Sequence, residues 1–367
     1  MRPAPEPGGL SPIEDEIVDT PEQAAALSLV PLLIREPLQR FLDEHGIGEG
    51  EIDAEPVGEG HSNVTYRIRR GDTSVVLRRP PRPPLPPSAH DVLREARVLK
   101  ALGESDVPVP AVLATCSDES LLGVPFYVME YLDGEVLTDA TPPELATAEC
   151  RCAIAELIVA ALAALHTIDT TTGPLSDLGK PAGYLERQLR RFKLLWEAGR
   201  TRELPALEHV TAWLEANLPE SGPPAVVHGD YRLGNMILAP GAPVRLLGIV
   251  DWEMATLGDP LADLGYLTAH LAQRDHPANV MTELQPVTRE PGFPDWTWMA
   301  ERYSQLTGRS VANVCWYRVL AIWKAAIFLE QSYKRFLSGN EHDAWFAEMG
   351  EGVPELADQA WQTALKG

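Results

Sequence analysis

Basic residues are scarce in this sequence. Its 367 residues include 31 lysines and arginines against 53 aspartates and glutamates, which gives a formal net charge of −22. A surface of that sign repels phosphate backbones and anionic lipid headgroups, so broad binding to nucleic acid or to a membrane surface is excluded. An anionic ligand would have to be held locally, by backbone N–H groups, by a metal ion or by a few basic side chains.

Cysteine is rare as well, and its positions lack the spacing of metal ligands. The chain contains Cys116, Cys150, Cys152 and Cys315. The middle two lie two positions apart in a predicted helix, so their side chains point to different sides. We predict four reduced thiols in a cytoplasmic protein, and no disulfide scaffold.

Long apolar runs are missing too. The most apolar early stretch, residues 24–34, is interrupted by Pro31 and is far shorter than the roughly 20 residues that a membrane-spanning helix needs. Residues 1–20 carry proline, glycine and acidic residues, without the basic start of a signal peptide. We therefore expect a mobile tail over residues 1–20, no export and no membrane insertion.

What is present suffices for a folded core. The composition is 45% hydrophobic and 23% charged, which is typical of globular proteins and not of disordered chains. A chain of this length usually folds as two lobes or domains. We place the boundary near Leu132, where the pattern changes from strands to helices.

The two halves differ in their periodicity. Before the boundary, strands are predicted at 63–68, 74–78, 107–113 and 125–131, with one helix at 90–102. After it, Ala- and Leu-rich segments predict helices at 148–166, 182–198 and 207–218 and over most of 297–366. These patterns predict an α+β protein whose front half holds the sheet and whose back half is mostly helical.

The segment most informative about chemistry is a polar loop between two short apolar strands. It contains His228, Asp230 and Asn235, and the next strand ends at Asp251. Phosphoryl transfer needs one carboxylate near the acceptor hydroxyl and two oxygen ligands for Mg²⁺. The spacing of these residues matches the order used in kinase catalytic loops. Taken alone, Asp230 and Asn235 would also suit a turn.

With these and further segments the chain resembles the aminoglycoside phosphotransferase family of kinase-like small-molecule phosphotransferases, and most of all the branch also found fused to acyl-CoA dehydrogenases. The resemblance runs from about Val57 to the C-terminus, through residues 58–63, 76–80, 94–100, 128–131, 228–230 and 251–253. It implies a two-lobed, protein-kinase-like α+β fold. Residues 21–131 would form a nucleotide-binding lobe around a small antiparallel sheet. Residues 132–367 would form a larger, mostly helical lobe with the catalytic loop, the metal site and the acceptor pocket.

The resemblance also implies roles for residues of the second lobe. Asp230 would be the catalytic base, and Asn235 and Asp251 would bind Mg²⁺. His228 would support the loop structurally. Asp263 would brace the loop from below, although a plain exposed acid is the alternative.

In the first lobe the resemblance implies nucleotide contacts. A phosphate-covering loop would contain Gly58, Gly60, His61, Ser62 and Asn63. Arg78, or less favourably Arg79, would pair with Glu95, which could otherwise be one more solvated charge. The usual residue at Arg78 is a lysine, and arginine would hold phosphates as a planar fork rather than a point charge. The backbone C=O of Glu130 and N–H of Leu132 would contact adenine.

Aromatic and basic residues late in the chain are where an acceptor pocket should be sought, although most such aromatics are core residues. They are Trp296, Trp298, Trp316, Tyr317, Arg318, Trp323, Lys324 and Lys334. Arg187 and Arg191 are further candidates, with a solvated helix face as the alternative.

The predicted function is an ATP- or GTP-dependent, Mg²⁺-requiring transfer of the γ-phosphoryl group to a hydroxyl of a small molecule. The nearest branch suggests an acyl or hydroxyacyl acceptor, and an aminoglycoside is less favoured. A protein kinase is disfavoured because Trp252 and Glu253 replace the Phe-Gly that follows the metal-binding acid there. The alternative is a nucleotide-binding regulatory pseudokinase, because Arg78 replaces the usual lysine.

Overall fold

The structure is a computed structural model, and it describes residues 16–57, 63–85, 90–274, 276–339 and 343–367. The chain divides into two compact units. The first comprises Met1–Lys100 and Pro110–Tyr131, and the second comprises Ala101–Val109 and Leu132–Gly367. None of the described helices is both long and apolar enough to cross a membrane.

The first unit is built on a five-stranded antiparallel sheet, in which neighbouring strands follow the order Asp53–Pro56, Val64–Arg70, Thr73–Arg79, Phe126–Glu130 and Val112–Cys116. In chain order its elements are β1 (Ile17–Val18), α1 (Pro21–Ala26), β2 (Leu33–Ile34), α2 (Arg35–Glu44), β3 (Asp53–Pro56), β4 (Val64–Arg70), β5 (Thr73–Arg79), α3 (Val92–Leu102, whose last two residues belong to the second unit), β6 (Val112–Cys116) and β7 (Phe126–Glu130). Alternating residues such as Tyr66, Ile68 and Val75 face a shared apolar core.

Two details of this unit differ from the sequence pattern. The strand predicted at 107–113 forms at Val112–Cys116 instead. Pro108 and Pro110 lack the N–H groups that a sheet ladder needs, so pairing starts after them. In the predicted tail, residues 1–15 lie outside the described residues, whereas Ile17–Val18 pair with Leu33–Ile34 in a small parallel sheet.

The second unit is mostly helical. In chain order its elements are α4 (Ala148–Thr167), α5 (Tyr184–Gly199), α6 (Pro205–Ala216), β8 (Ala225–Val227), β9 (Met236–Leu238), β10 (Leu246–Ile249), β11 (Thr256–Gly258), α7 (Leu261–Ala269), α8 (Trp296–Thr307), α9 (Val314–Leu337) and α10 (Met349–Lys366). Helix α9 packs against α5, α6, α7 and α10. Its buried residues include Trp316, Trp323 and Ile327 on several sides, as expected for a helix with neighbours around most of its surface.

Two small antiparallel pairs sit among these helices. β8 pairs with β11, and β9 pairs with β10. The polar loop of residues 228–235 joins β8 to β9, and Asp251 follows β10 after one residue. The predicted α+β class is confirmed, and the short strands around the motif form where the sequence places them.

Candidate active site

The loop that carries the motif leaves the end of a buried strand. β8 is buried along its whole length and leads directly into His228 and Gly229. Gly229 has a φ of +89°, and a Cβ atom there would lie 2.9 Å from Cβ of Met254. Only glycine tolerates both this backbone conformation and this close approach. The backbone before Asp230 is therefore set by sterics.

Asp263 holds the same stretch of backbone from helix α7. Its carboxylate is 1% exposed and accepts hydrogen bonds from the N–H of His228 at 2.7 Å and of Gly229 at 2.9 Å. A buried carboxylate must have such donors, because desolvating an unpaired charge is costly. The loop and the helix are thereby tied together, which is the bracing contact that the sequence motif suggests.

His166, which is not part of the sequence motif, completes this contact from helix α4. Its Nε2 lies 3.3 Å from an Asp263 oxygen and its Nδ1 lies 2.8 Å from the Tyr303 hydroxyl. Burial lowers the pKa of His166, against the opposing effect of Asp263. A neutral ring that donates through Nε2 and accepts through Nδ1 satisfies both contacts. The sequence feature that could have pointed to His166 is its place as a single histidine at the end of an apolar helix.

Asp230 lies on the accessible side of the loop. Its side chain is 22% exposed, with the Nε of Arg232 at 3.5 Å and the amide nitrogen of Asn235 at 2.7 Å. The Tyr266 hydroxyl also hydrogen-bonds to it. Burial raises the pKa of Asp230, but Arg232, Tyr266, His228 and Asn235 together outweigh burial and hold the pKa below its usual value. The carboxylate is therefore ionised at neutral pH and can accept a hydrogen bond from a bound hydroxyl.

Arg232 and Tyr266 were also absent from the sequence-based site. Burial, and next the adjacent Asp230, raise the pKa of Tyr266 well above its usual value, so the phenol stays protonated as a donor. Tyr266 follows Asp263 by three positions on α7, which puts both on one helix face. The three-residue spacing from Asp263 could have predicted Tyr266 as a site residue, but only with the knowledge that the helix lies beside the loop.

His228 is fully buried and both of its ring nitrogens are engaged. Nδ1 accepts the backbone N–H of Asp230 at 3.1 Å, and Nε2 lies 3.1 Å from the C=O of Val250, to which it donates. The ring also packs against Trp252, with 4.5 Å between centroids. These contacts suit an imidazole that shapes the loop.

Asn235 and Asp251 are the residues that the sequence predicts as ligands of a metal ion. The amide nitrogen of Asn235 donates to both the C=O and a carboxylate oxygen of Asp230, at 2.8 and 2.7 Å. This orientation commits the nitrogen and leaves the amide oxygen for another ligand. Asp251 has a φ of +68°, a conformation that is uncommon for a residue other than glycine. The backbone N–H of Val250 donates to the backbone C=O of Asn235 at 3.0 Å, which links the two segments.

The donor chemistry of this pair suits Mg²⁺, which prefers carboxylate and carbonyl oxygens. Within the described ranges, no cluster of three or more His, Cys, Asp or Glu side chains could hold a metal by itself. Mg²⁺ usually completes its shell with waters and substrate phosphates. The two residues therefore fit a nucleotide-dependent metal site rather than an independent one.

In the first unit the structure separates the two arginines of strand β5. The Nε of Arg78 lies 2.9 Å from an oxygen of Glu95, whose side chain is 1% exposed. Arg79 is fully buried and donates instead to the backbone carbonyls of Leu32, Pro80 and Leu122. Burial lowers the pKa of Arg79 to about 10. Arg79 anchors backbone, and Arg78 forms the ion pair.

The other predicted nucleotide contacts are only partly visible. Gly58, Gly60, His61 and Ser62 lie outside the described residues. Asn63 is buried, and its amide oxygen lies 3.0 Å from Nδ1 of His90. Glu130 ends strand β7, where its N–H donates to the C=O of Ala111 at 2.8 Å, and Leu132 begins the second unit.

Several late aromatics belong to the core. The indole N–H of Trp316 donates to the C=O of Leu214 at 3.1 Å, and that of Trp323 donates to the Thr211 hydroxyl at 2.8 Å. The Tyr317 hydroxyl donates to Asp259 at 2.7 Å. These contacts hold helices together, and Tyr317 in addition lines a small cavity beside the loop.

Comparison with known proteins finds a family match that includes the motif region. Residues 53–302 match the sequence model of a family described as "Phosphotransferase enzyme family". The chain belongs to this family. The predicted resemblance to aminoglycoside phosphotransferases is thereby confirmed.

Two curated relatives of this phosphotransferase chain are named after another enzyme class. It is 35% identical over 331 residues to acyl-CoA dehydrogenase family member 10 of Mus musculus, covering 90% of this chain and 30% of that protein. It is 32% identical over 344 residues to acyl-CoA dehydrogenase family member 11 of Homo sapiens, covering 89% and 44%. The chain thus spans less than half the length of these relatives.

Solved structures show the same fold. A putative aminoglycoside phosphotransferase of Ralstonia eutropha JMP134 is 31% identical, with a TM-score of 0.77 and coverage of 90% of this chain and 98% of that one. The microcompartment-associated aminopropanol kinase is 16% identical, with a TM-score of 0.58 and coverage of 90% and 96%. At that identity the second likeness shows the fold alone. Together they confirm the protein-kinase-like fold class.

Proposed function

We propose that this chain transfers the γ-phosphoryl group of ATP or GTP to a hydroxyl of a small molecule. One observation carries the proposal: Asp230, at the loop position where a kinase catalytic base belongs, is an ionised and partly exposed carboxylate oriented by Asn235. Family membership supports the same reaction type. In phosphoryl transfer the protein contributes positioning and charge more than covalent chemistry.

In the proposed mechanism Asp230 accepts a hydrogen bond from the acceptor hydroxyl and orients its oxygen towards the γ-phosphorus. The proton passes to Asp230 as the new O–P bond forms and the bond to the nucleoside diphosphate breaks. Asn235 and Asp251 would hold Mg²⁺, which supplies charge neutralisation on the phosphates when bound. His228, Asp263 and His166 keep the loop in place during the step.

Nucleotide contacts are assigned to residues of the first unit and to Leu132, which directly follows it in the chain. Arg78, oriented by Glu95, is the candidate to bind phosphate oxygens. The C=O of Glu130 and the N–H of Leu132 are the candidates for the adenine edge. A neighbour of the same fold, an APH(4)-Ia variant, was crystallised with AMP-PNP and hygromycin B, which supports a nucleotide and a small-molecule acceptor.

For the acceptor we favour an acyl or hydroxyacyl compound over an aminoglycoside. The support is the naming of the curated relatives as acyl-CoA dehydrogenase family members. The acyl-CoA dehydrogenase reaction itself is not proposed for this chain.

The test compares wild type with Asp230→Asn in an assay for nucleoside diphosphate release, with ATP and GTP each offered with Mg²⁺ and with hydroxyacyl and aminoglycoside acceptors. We expect the variant to lose turnover by about 10²- to 10⁴-fold, as for loss of a general base, while nucleotide affinity stays the same. Asp358→Asn, a change at an exposed residue of α10, is the matched control. Equal acceptor-dependent turnover in wild type and Asp230→Asn would sink the mechanism.

The second candidate is a nucleotide-binding regulatory protein without transfer activity, favoured by Arg78 in place of the usual lysine. It predicts nucleotide binding by wild type with no turnover on any acceptor, and the same result for Asp230→Asn. The Arg78→Lys variant adds a second test of this candidate. A gain of turnover in the variant would show that the arginine had disabled transfer.

A further inference from the structure

A small cavity lies beside the candidate base, entirely within the second unit. Its lining includes Tyr184 of α5, Gly229 of the loop, Asp263 and Tyr266 of α7, and Lys324 of α9. Its free volume is about 10 Å³, which is close to the space of one water or one carboxylate oxygen. The polar side chains of its lining come from the surrounding helices, and the proposed mechanism does not use the cavity.

Lys324 is the cation in this cavity. Its Nζ lies 4.9 Å from the centroid of the Phe192 ring, and it makes no hydrogen bond or ion pair with any residue in the described part of the chain. Burial and Arg191 lower the pKa of Lys324 to about 8, against the opposing effects of Asp263 and Asp230. A half-buried ammonium that lacks hydrogen-bond acceptors is costly, unless a ligand supplies them.

The cavity shares a wall with Asp230. Tyr266 lines the cavity and hydrogen-bonds to the Asp230 carboxylate, and Gly229 immediately precedes Asp230 in the chain. An acceptor whose hydroxyl reaches Asp230 therefore brings its next atoms close to the cavity. Any charge on those atoms faces the field of Lys324.

Further cations lie in the same area. Arg232 lies 3.5 Å from Asp230, and exposed Arg191 of α5 is near enough to Lys324 to lower its pKa. The carboxylates of Asp263 and Asp230 lie in this area too, but both already accept hydrogen bonds from protein donors. Lys324 is the group left to be satisfied by a ligand, and an anionic oxygen satisfies it where a further cation would be repelled by it.

We propose that Lys324 is a specificity-determining residue that binds an anionic oxygen of the acceptor, so that this site takes hydroxy compounds carrying a carboxylate or similar oxyanion and rejects cationic ones. The proposal rests on the proposed function, because the bound anionic compound is a phosphoryl acceptor only if the chain transfers phosphate. The binding itself does not require transfer, so the two can fail separately.

The first experiment measures binding at Lys324 without turnover. Three compounds share a three-carbon, hydroxyl-bearing skeleton and differ in charge: glycerate is anionic, glycerol is neutral and 3-amino-1,2-propanediol is cationic. Lysine acetylation by an N-hydroxysuccinimide ester is followed by peptide mass spectrometry, with sodium chloride added to equalise ionic strength. We expect saturating glycerate to slow acetylation of Lys324 by about tenfold or more, because the bound fraction is unreactive, while the other two compounds do not.

Lys193 of α5 serves as the internal control, because it is partly exposed and paired with Glu215 at 2.5 Å. Its labelling should not respond to any of the three compounds. Equal effects of glycerate and glycerol on Lys324 overturn the proposal. So does a Lys324 that the reagent never reaches, since an anion could not reach it either.

The second experiment measures specificity with Lys324→Met and Lys324→Arg. Loss of a hydrogen bond to a charged group should raise the KM for glycerate relative to glycerol by roughly 10- to 100-fold in Lys324→Met. Lys324→Arg should restore much of the preference, and Lys193→Met should behave as wild type. A charge preference that survives Lys324→Met overturns the assignment.

The two proposals are separated by applying both assays to the wild-type protein. Protection of Lys324 by glycerate in a wild type that transfers phosphate to no acceptor would mean that the anion site is real and the phosphotransfer proposal is wrong. Transfer to a hydroxy compound without any protection of Lys324 would mean the reverse.

Discussion

At Asp230 the protonation state depends on a few neighbours rather than on the residue itself. Burial alone would raise the pKa of Asp230 and so lower the fraction of the carboxyl group that is ionised and able to accept the hydroxyl proton. Arg232 at 3.5 Å, the Tyr266 hydroxyl and the Asn235 amide reverse the direction of the shift. The residue therefore remains an anion over the whole neutral range.

Arg232→Gln should expose this dependence in the pH profile. Removing the cation raises the pKa of Asp230, so the acid limb of kcat/KM moves to higher pH and turnover near pH 5 falls relative to pH 7.5. The measurement is kcat/KM against pH for wild type and variant. Arg190→Gln, at an exposed position of α5, is the control, and coincident acid limbs would contradict the assignment.

Helix α7 positions the catalytic loop through two of its residues. Asp263 holds the backbone N–H groups of His228 and Gly229, and Tyr266 one turn later holds Asp230. A shift of this helix would move the loop backbone and the carboxylate together. The geometry of Asp230 is thus a property of packing between α7, α4 and the strand end.

Asp263→Asn tests the role of this element. An asparagine offers one oxygen and places an NH₂ against the other backbone N–H, which leaves a buried donor without an acceptor. We expect a loss of stability of about 1–3 kcal/mol together with at least a tenfold loss of turnover, measured by urea unfolding and by kcat. Stability lost with full activity retained would show that Asp263 does not position the loop.

At the scale of the whole molecule, buried neutral histidines determine the response to acid. His270 is 2% exposed, and its ring N–H donates to the C=O of Tyr266 at 2.9 Å. Burial lowers the pKa of His270 to about 4 from 6.5, and burial lowers that of His166 as well. The unfolded chain therefore binds more protons than the folded chain as the pH falls below 6.5.

This difference in proton binding predicts that the free energy of unfolding decreases as the pH falls. The stability contributed by neutral His270 is fully present above pH 6.5 and is lost as the pH falls towards 4, by about 3 kcal/mol in total. Urea unfolding between pH 7.5 and 4 measures it. His270→Gln should show a flatter dependence than wild type and than His209→Gln, an exposed control; parallel curves for all three would refute the assignment.

The sequence by itself determined the family, the α+β class and the order of the motif. The spacing of His228, Asp230 and Asn235 and the strand before Asp251 are local properties, because loop and strand geometry depends mainly on nearby residues. The same holds for the predicted strands at β4, β5 and β7. Strand β6 was displaced because proline removes a backbone donor, an effect that apolar periodicity does not register.

Only the tertiary structure decided which side chains meet at Asp230, at the carboxylate that holds its loop and at the neighbouring cavity. Tyr266, His166 and Lys324 come from helices α7, α4 and α9, which are distant in sequence and meet through packing. It also separated Arg78, which pairs with Glu95, from Arg79, which anchors backbone. Protonation and charge complementarity depend on distances in space and on burial. The spacing of residues along the sequence gives information on neither.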